Sequence, residues 1–303
     1  MSRPIGRPGA SSPSARKARP GAASEPISTP KGSVSRQSQY LTAERLYRIA
    51  QGMSDRDQEL LRFVHESGLA SGQQLVRCFW PAGGHGAGAA RAGRRALKRL
   101  TDWRVLETLP RRIGGMRTGS NGMVYRVGRA GIRLLAARGI YGPRVEVPGT
   151  LHLAHTLATT EMALRLREAD RTGELDLVEV QQEPGCWRAY LGSGGSQRVL
   201  KPDLFVRVGA GDLEDRWMVE VDLASEAGRT IAGKANRYLE HYRSGSEQRE
   251  HGVYPRVLWA VPDQRRAQQI EHVLESQPLE AQRLFAVCLF DEVIGFLAGE
   301  ASS

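Results

Sequence analysis

From Leu41 onward, apolar residues recur three and four positions apart, the period of helices packed along one side. Ser54 with Asp57 three residues later predicts a capping box, opening a helix through Leu60, Leu61 and Val64 that Gly68 ends. Ser71 caps a shorter helix bearing Leu75, Val76 and Phe79. Pro81 and the glycines to Gly88 break the chain before a third helix over 89–102. Residues 103–109 and 123–127 then read as two strands, and 129–138 as a closing helix. Gly142, Pro143, Pro148 and Gly149 mark a linker.

Beyond the linker, a helix over 151–170 carries Leu153, Leu157, Met162, Leu164 and Leu166. Strand-like runs follow at 175–180, 199–208 and 217–223, with Gly192 to Gly195 as a hairpin tip. A helix over 225–242, a strand over 257–261, a helix over 264–274 and a strand over 284–290 complete the order. Helix, three strands, helix, strand, helix, strand predicts an α/β sandwich. Residues 1–39, rich in Ser, Pro, Gly, Ala and Arg, lack the apolar content to offset ordering entropy and are expected to be a disordered basic tail. The predicted organisation is thus a tail, a first domain over about 40–145 and a second over about 150–300.

Charge sharpens this division. The net charge of +10 is unevenly spread: residues 40–150 hold 19 Lys and Arg against 8 Asp and Glu, whereas residues 151–303 hold 17 against 24. Of the 43 basic residues 38 are Arg, which GC-rich coding explains, but coding bias does not explain their concentration in one half. On the third helix, Arg91, Arg94, Arg95 and Lys98 fall within about a third of the circle, opposite Ala89, Ala96, Leu97 and Leu100. The loop between the two strands holds Arg111, Arg112 and Arg117. Three helices followed by a basic hairpin is the order of a winged helix-turn-helix, whose third helix enters the major groove of double-stranded DNA while the hairpin touches the backbone. The alternative is an Arg-rich solvated face.

Other features exclude more than they propose. Cys78, Cys186 and Cys288 have no metal-ligand spacing and suggest reduced thiols in a cytoplasm. No apolar run reaches the roughly 18 residues of a membrane span, and no secretory signal is evident. His152 and His155, three apart on a predicted helix, lack a third ligand and read as packing or surface residues. The glycine run at 83–88 lacks a following Gly-Lys-Ser/Thr, so it predicts no phosphate cradle. Trp187, Trp217 and Trp259 read as core or sheet residues.

The candidate chemistry lies in two acidic clusters. Pro202 and Asp203 precede one predicted strand; Glu220 and Asp222 share a face of the next, opposite Trp217, Val219 and Val221. Two carboxylate-bearing strands a hairpin apart are able to hold a divalent metal against a phosphodiester. Alternatively, Glu220 and Asp222 are solvated or paired with Arg229 and Arg237, and no metal binds.

Pro202-Asp203, then Glu220 on the next strand, in the order helix, three strands, helix, strand, resembles the PD-(D/E)XK nuclease-like superfamily over about 151–261. The resemblance implies that Asp203 and Glu220 are catalytic ligands of Mg²⁺. It makes Asp222 a further ligand and Glu161, in the opening helix, an outer-shell group. It also implies a lysine two residues after the second acid, where this chain has Asp222. Lys234, which shares a helix face with Tyr238, is the first substitute. Lys201 is the second, although alternation points it away unless Pro202 disturbs the pleat.

The chain past the tail, with its winged-helix-like front, Lys201-Pro202-Asp203, Glu220-Val221-Asp222 and the helix of Lys234 and Tyr238, resembles the replication-relaxation family of plasmids and other mobile elements of Gram-positive bacteria. That resemblance implies a DNA-binding accessory role in plasmid replication, DNA relaxation or mobilisation, with replication or mobilisation proteins as partners. Three readings stay open: such a factor with an inactive nuclease-like domain, an active metal-dependent endonuclease or nickase, and a winged-helix transcriptional regulator.

Overall fold

The structure, a computed structural model, describes residues 41–81, 86–109, 122–142 and 149–299. The expectations for the tail, for Arg111, Arg112 and Arg117, and for the linker over 143–148 fall outside these residues. From Leu41 onward the chain forms one compact unit of mixed α/β architecture.

Its front part runs α1 (Ala43–Gly52), α2 (Asp55–Ser67), β1 (Ala70–Ser71), α3 (Gly72–Phe79), α4 (Gly86–Asp102), β2 (Leu106–Thr108), β3 (Val124–Val127) and α5 (Arg129–Ala136). Both expected caps are formed. The Ser54 hydroxyl accepts the Asp57 N–H while Asp57 accepts the Ser54 N–H, and Ser71 and Gln74 repeat the exchange at α3. Gly68 leaves α2 at φ 68°, a conformation that costs glycine little. The three strands pair antiparallel in the order β1-β3-β2, and Leu60, Val64, Leu75, Leu97, Leu100, Leu106 and Tyr125 fill the core beneath them. Gly93 lets α3 approach α4 closely, since a Cβ there would stand 3.0 Å from Val76 and from Trp80.

The back part runs α6 (Thr150–Thr172), β4 (Leu177–Gln182), β5 (Arg188–Leu191), β6 (Gln197–Leu200), β7 (Leu204–Ala210), β8 (Leu213–Val221), α7 (Gly228–Ser244), α8 (Ser246–His251), β9 (Arg256–Val261), α9 (Gln264–Glu275), α10 (Leu279–Gln282), β10 (Phe285–Leu289) and α11 (Val293–Leu297). Five strands form one sheet in the order β10-β9-β8-β7-β4, antiparallel from β4 to β8 and parallel from β8 to β10. The parallel pairs follow from the crossovers through α7 and α9. Alternation then sorts the side chains. Phe205, Met218, Val257 and Trp259 pack towards α7 and α9, and Val206, Val219, Leu258 and Ala260 pack towards α6 and α11.

Two expectations are corrected. The single strand over 199–208 is two, because Pro202 has no N–H for a ladder and the chain turns there; β6 pairs only with β5, in a separate ribbon. Trp217 and Trp259 are core residues, but Trp187 is 37% exposed and carries the Lys201 ammonium 4.0 Å over its ring.

Helix α6 serves both parts. Leu153 and Leu157 pack with Leu69, Leu109 and Val124, Leu164 joins the front core, and Met162, Ala163 and Leu166 lie under the sheet. Polar contacts repeat the bridge: the Thr160 hydroxyl donates to the Leu69 carbonyl at 2.8 Å, and the Gln182 amide to the Ser67 hydroxyl at 3.0 Å.

Candidate functional site

Two features stand out: the outer face of α4 and the carboxylates at the strand ends. On α4, Ala96, Leu97 and Leu100 are buried, which turns Arg91, Arg94, Arg95 and Lys98 to solvent. Arg99, on the inner flank, donates to both oxygens of buried Asp57 at 2.7 and 2.8 Å and lies 5.3 Å over the Trp103 ring, fixing the rotational phase of the helix. Lys98 pairs with Asp102 at 2.6 Å. Arg91, Arg94 and Arg95 have no ion-pair partner among the described residues.

At the other feature, the turn at Pro202 brings Asp203 to the head of β7, beside the end of β8. One Asp203 oxygen accepts the Val221 N–H at 2.7 Å; the other lies 2.9 Å from His155 Nε2 on α6. Glu220, 3% exposed, accepts the Lys234 ammonium at 2.8 Å and the Tyr238 hydroxyl at 2.5 Å, both from α7. The spacing of four between Lys234 and Tyr238 thus converges on one carboxylate. Lys234 also reaches Glu226 at 3.2 Å.

The other candidates lie elsewhere. Asp222 is on the same side of the sheet as Glu220, but it forms a bidentate pair with Arg266 of α9, at 2.8 Å to each oxygen. Its expected partners, Arg229 and Arg237, are not the ones it meets. Glu161 takes its donors from Gln74, Arg77 and Arg165, and so joins α3 to α6. Lys201, between β6 and β7 and in neither strand, sits on Trp187. His155, read as a packing or surface residue, instead reaches Asp203 across 48 positions of sequence. Neither it nor Arg266 carried a local signal, because the sheet alone brings them to the acids.

Electrostatics follow burial and pairing. Burial, and then the Asp203 charge, push the Glu220 carboxyl up to about 7 against the pull of Lys234. Burial alone would lower Lys234, but Glu220, Asp203 and Glu226 together raise it. The hydrogen bond to Asp203 outweighs burial and raises the His155 ring. Burial foremost holds the Tyr238 hydroxyl protonated, as a donor to Glu220.

A divalent ion requires carboxylate oxygens that converge and are open to it. All four oxygens of Asp203 and Glu220 are already matched to N–H or O–H donors, or to the His155 ring. Among the described residues, no group of three His, Cys, Asp or Glu side chains is placed to hold a metal. As arranged, these residues do not fit Mg²⁺.

A family model described as replication-relaxation matches residues 61–257, well over half of the chain. The chain belongs to the replication-relaxation family. Comparison with curated proteins and with solved structures gave no match. The replication-relaxation region takes in α4, His155, Asp203, Glu220 and Lys234, whereas Arg266 lies beyond its end. No helix among the described residues is long and apolar enough to cross a membrane.

Proposed function

We propose that this replication-relaxation protein binds double-stranded DNA as an accessory factor in the replication, relaxation or mobilisation of a plasmid or other mobile element. The front part, about 40–145, acts as a winged helix-turn-helix with α4 in the major groove. The back part, about 150–300, has a PD-(D/E)XK-like layout and serves partner or DNA binding rather than cleavage. The observation that carries this reading is the α4 face: three arginines without ion-pair partners among the described residues, on a helix whose opposite side is locked into the core. The order α2, β1, α3, α4, β2, β3 and the strand order β1-β3-β2 support it.

The test is a salt titration of duplex binding by fluorescence anisotropy. Replacing Arg91, Arg94 and Arg95 together by Ala should weaken binding and reduce the slope of log K against log salt by about 2 to 3. An unchanged slope would remove α4 from the interface. In parallel, supercoiled plasmid should stay uncut in Mg²⁺ or Mn²⁺. Cutting that disappears in Asp203→Asn would establish the nuclease reading instead.

A further inference from the structure

Two carboxylates buried together need a compensating cation, because each gives up its hydration on leaving water. In metal-dependent sites a divalent ion supplies that charge. Here a side chain does. The Lys234 ammonium, itself mostly buried, lies 2.8 Å from Glu220 and 3.2 Å from Glu226, and Tyr238, Val221 and His155 complete the shell around Glu220 and Asp203. An ion entering this space would face a fixed positive charge and would have to break hydrogen bonds that are already made.

We propose that Lys234 is the resident cation of the Asp203–Glu220 pair: its ammonium stands in for a divalent ion, so neither Mg²⁺ nor Mn²⁺ binds there. The inference rests on the nuclease-like reading only for the reason that a metal would be sought at this place. It goes further in assigning Lys234 a charge-compensating role, which leaves it unavailable to activate water or meet a phosphate. It also implies that the metal site is latent. Once the ammonium is removed, Glu220 loses its cation and only the His155 ring stays beside the pair, on Asp203, so a divalent ion becomes the natural replacement for the lost charge.

The experiment is a Mn²⁺ titration of the full chain without DNA, with free Mn²⁺ read by electron paramagnetic resonance. Wild type and Glu220→Gln should take up the same amount of Mn²⁺. Lys234→Met should gain about one equivalent, lost again in the Lys234→Met/Glu220→Gln double variant. Binding by wild type that Glu220→Gln abolishes would overturn the proposal, as would a folded Lys234→Met chain that gains none. Circular dichroism establishes folding; if Lys234→Met does not fold, the wild-type and Glu220→Gln comparison decides alone. With no DNA in the assay, either result leaves the α4 reading untouched.

Discussion

The pair of His155 and Asp203 makes stability depend on pH in a defined direction. The hydrogen bond that the His155 ring donates to Asp203 raises the ring above its ordinary 6.5, so the stability it contributes is fully present below 6.5 and is lost as pH rises through the raised value. Glu220 acts in the same sense, since burial and the Asp203 charge raise its carboxyl above the ordinary 4.5, and its contribution is lost as pH rises from 4.5 through the raised value. His241 acts in the opposite sense. Burial lowers it to about 4, and its contribution is lost as pH falls from 6.5 towards that value. Melting temperature should therefore decline as pH rises above 6.5, and His155→Gln, which keeps a donor for Asp203 but does not titrate, should flatten that decline. An equally steep decline in His155→Gln would assign the slope to Glu220 or elsewhere. Legibility at this scale followed sequence distance. Lys234 and Tyr238 declared their common face because four residues separate them, whereas His155 and Arg266 meet their carboxylates across 48 and 44 positions.

At the scale of the element, α4 has to hold one face still while presenting the other. Leu100 is fully buried among Leu60, Val64 and Leu97, so Leu100→Ala should cost about 2–5 kcal/mol in urea denaturation. Arg94→Ala, on the exposed face, should stay within about 0.5 kcal/mol while weakening DNA binding. Equal losses from both would mean that the helix does not divide into packing and binding faces. The helices were legible because their limits are local chemistry, as at Ser54, Gly68 and Ser71, where caps and a positive φ leave marks in the sequence. The run 199–208 reads as one strand for the converse reason. Its residues are strand-like throughout, and only Pro202 shows that β6 and β7 belong to different sheets.

For the whole molecule, the question is whether α4 and the carboxylate cluster belong to one cooperative body. A proline- and glycine-rich linker predicts a boundary near 145–150, yet α6, which follows it, contributes apolar residues to both cores. Its amphipathic pattern is weak in sequence because two partners cover it from different sides. If the α6 contacts dominate, calorimetry should show one transition with a van't Hoff to calorimetric enthalpy ratio near 1. Leu157→Ala, which opens the seam formed with Leu69, Leu109 and Val124, should then lower the stability of both parts together by about 2–5 kcal/mol. Two separate transitions in wild type would restore the linker as a true boundary and make α6 part of the back half alone. A single transition has a functional consequence: Gln74 and Arg77, on the helix packed against α4, bond Glu161 of α6 six residues from His155. On the DNA-binding reading proposed above, a change imposed on α3 and α4 would then meet Glu161 on the same helix that carries His155 to Asp203.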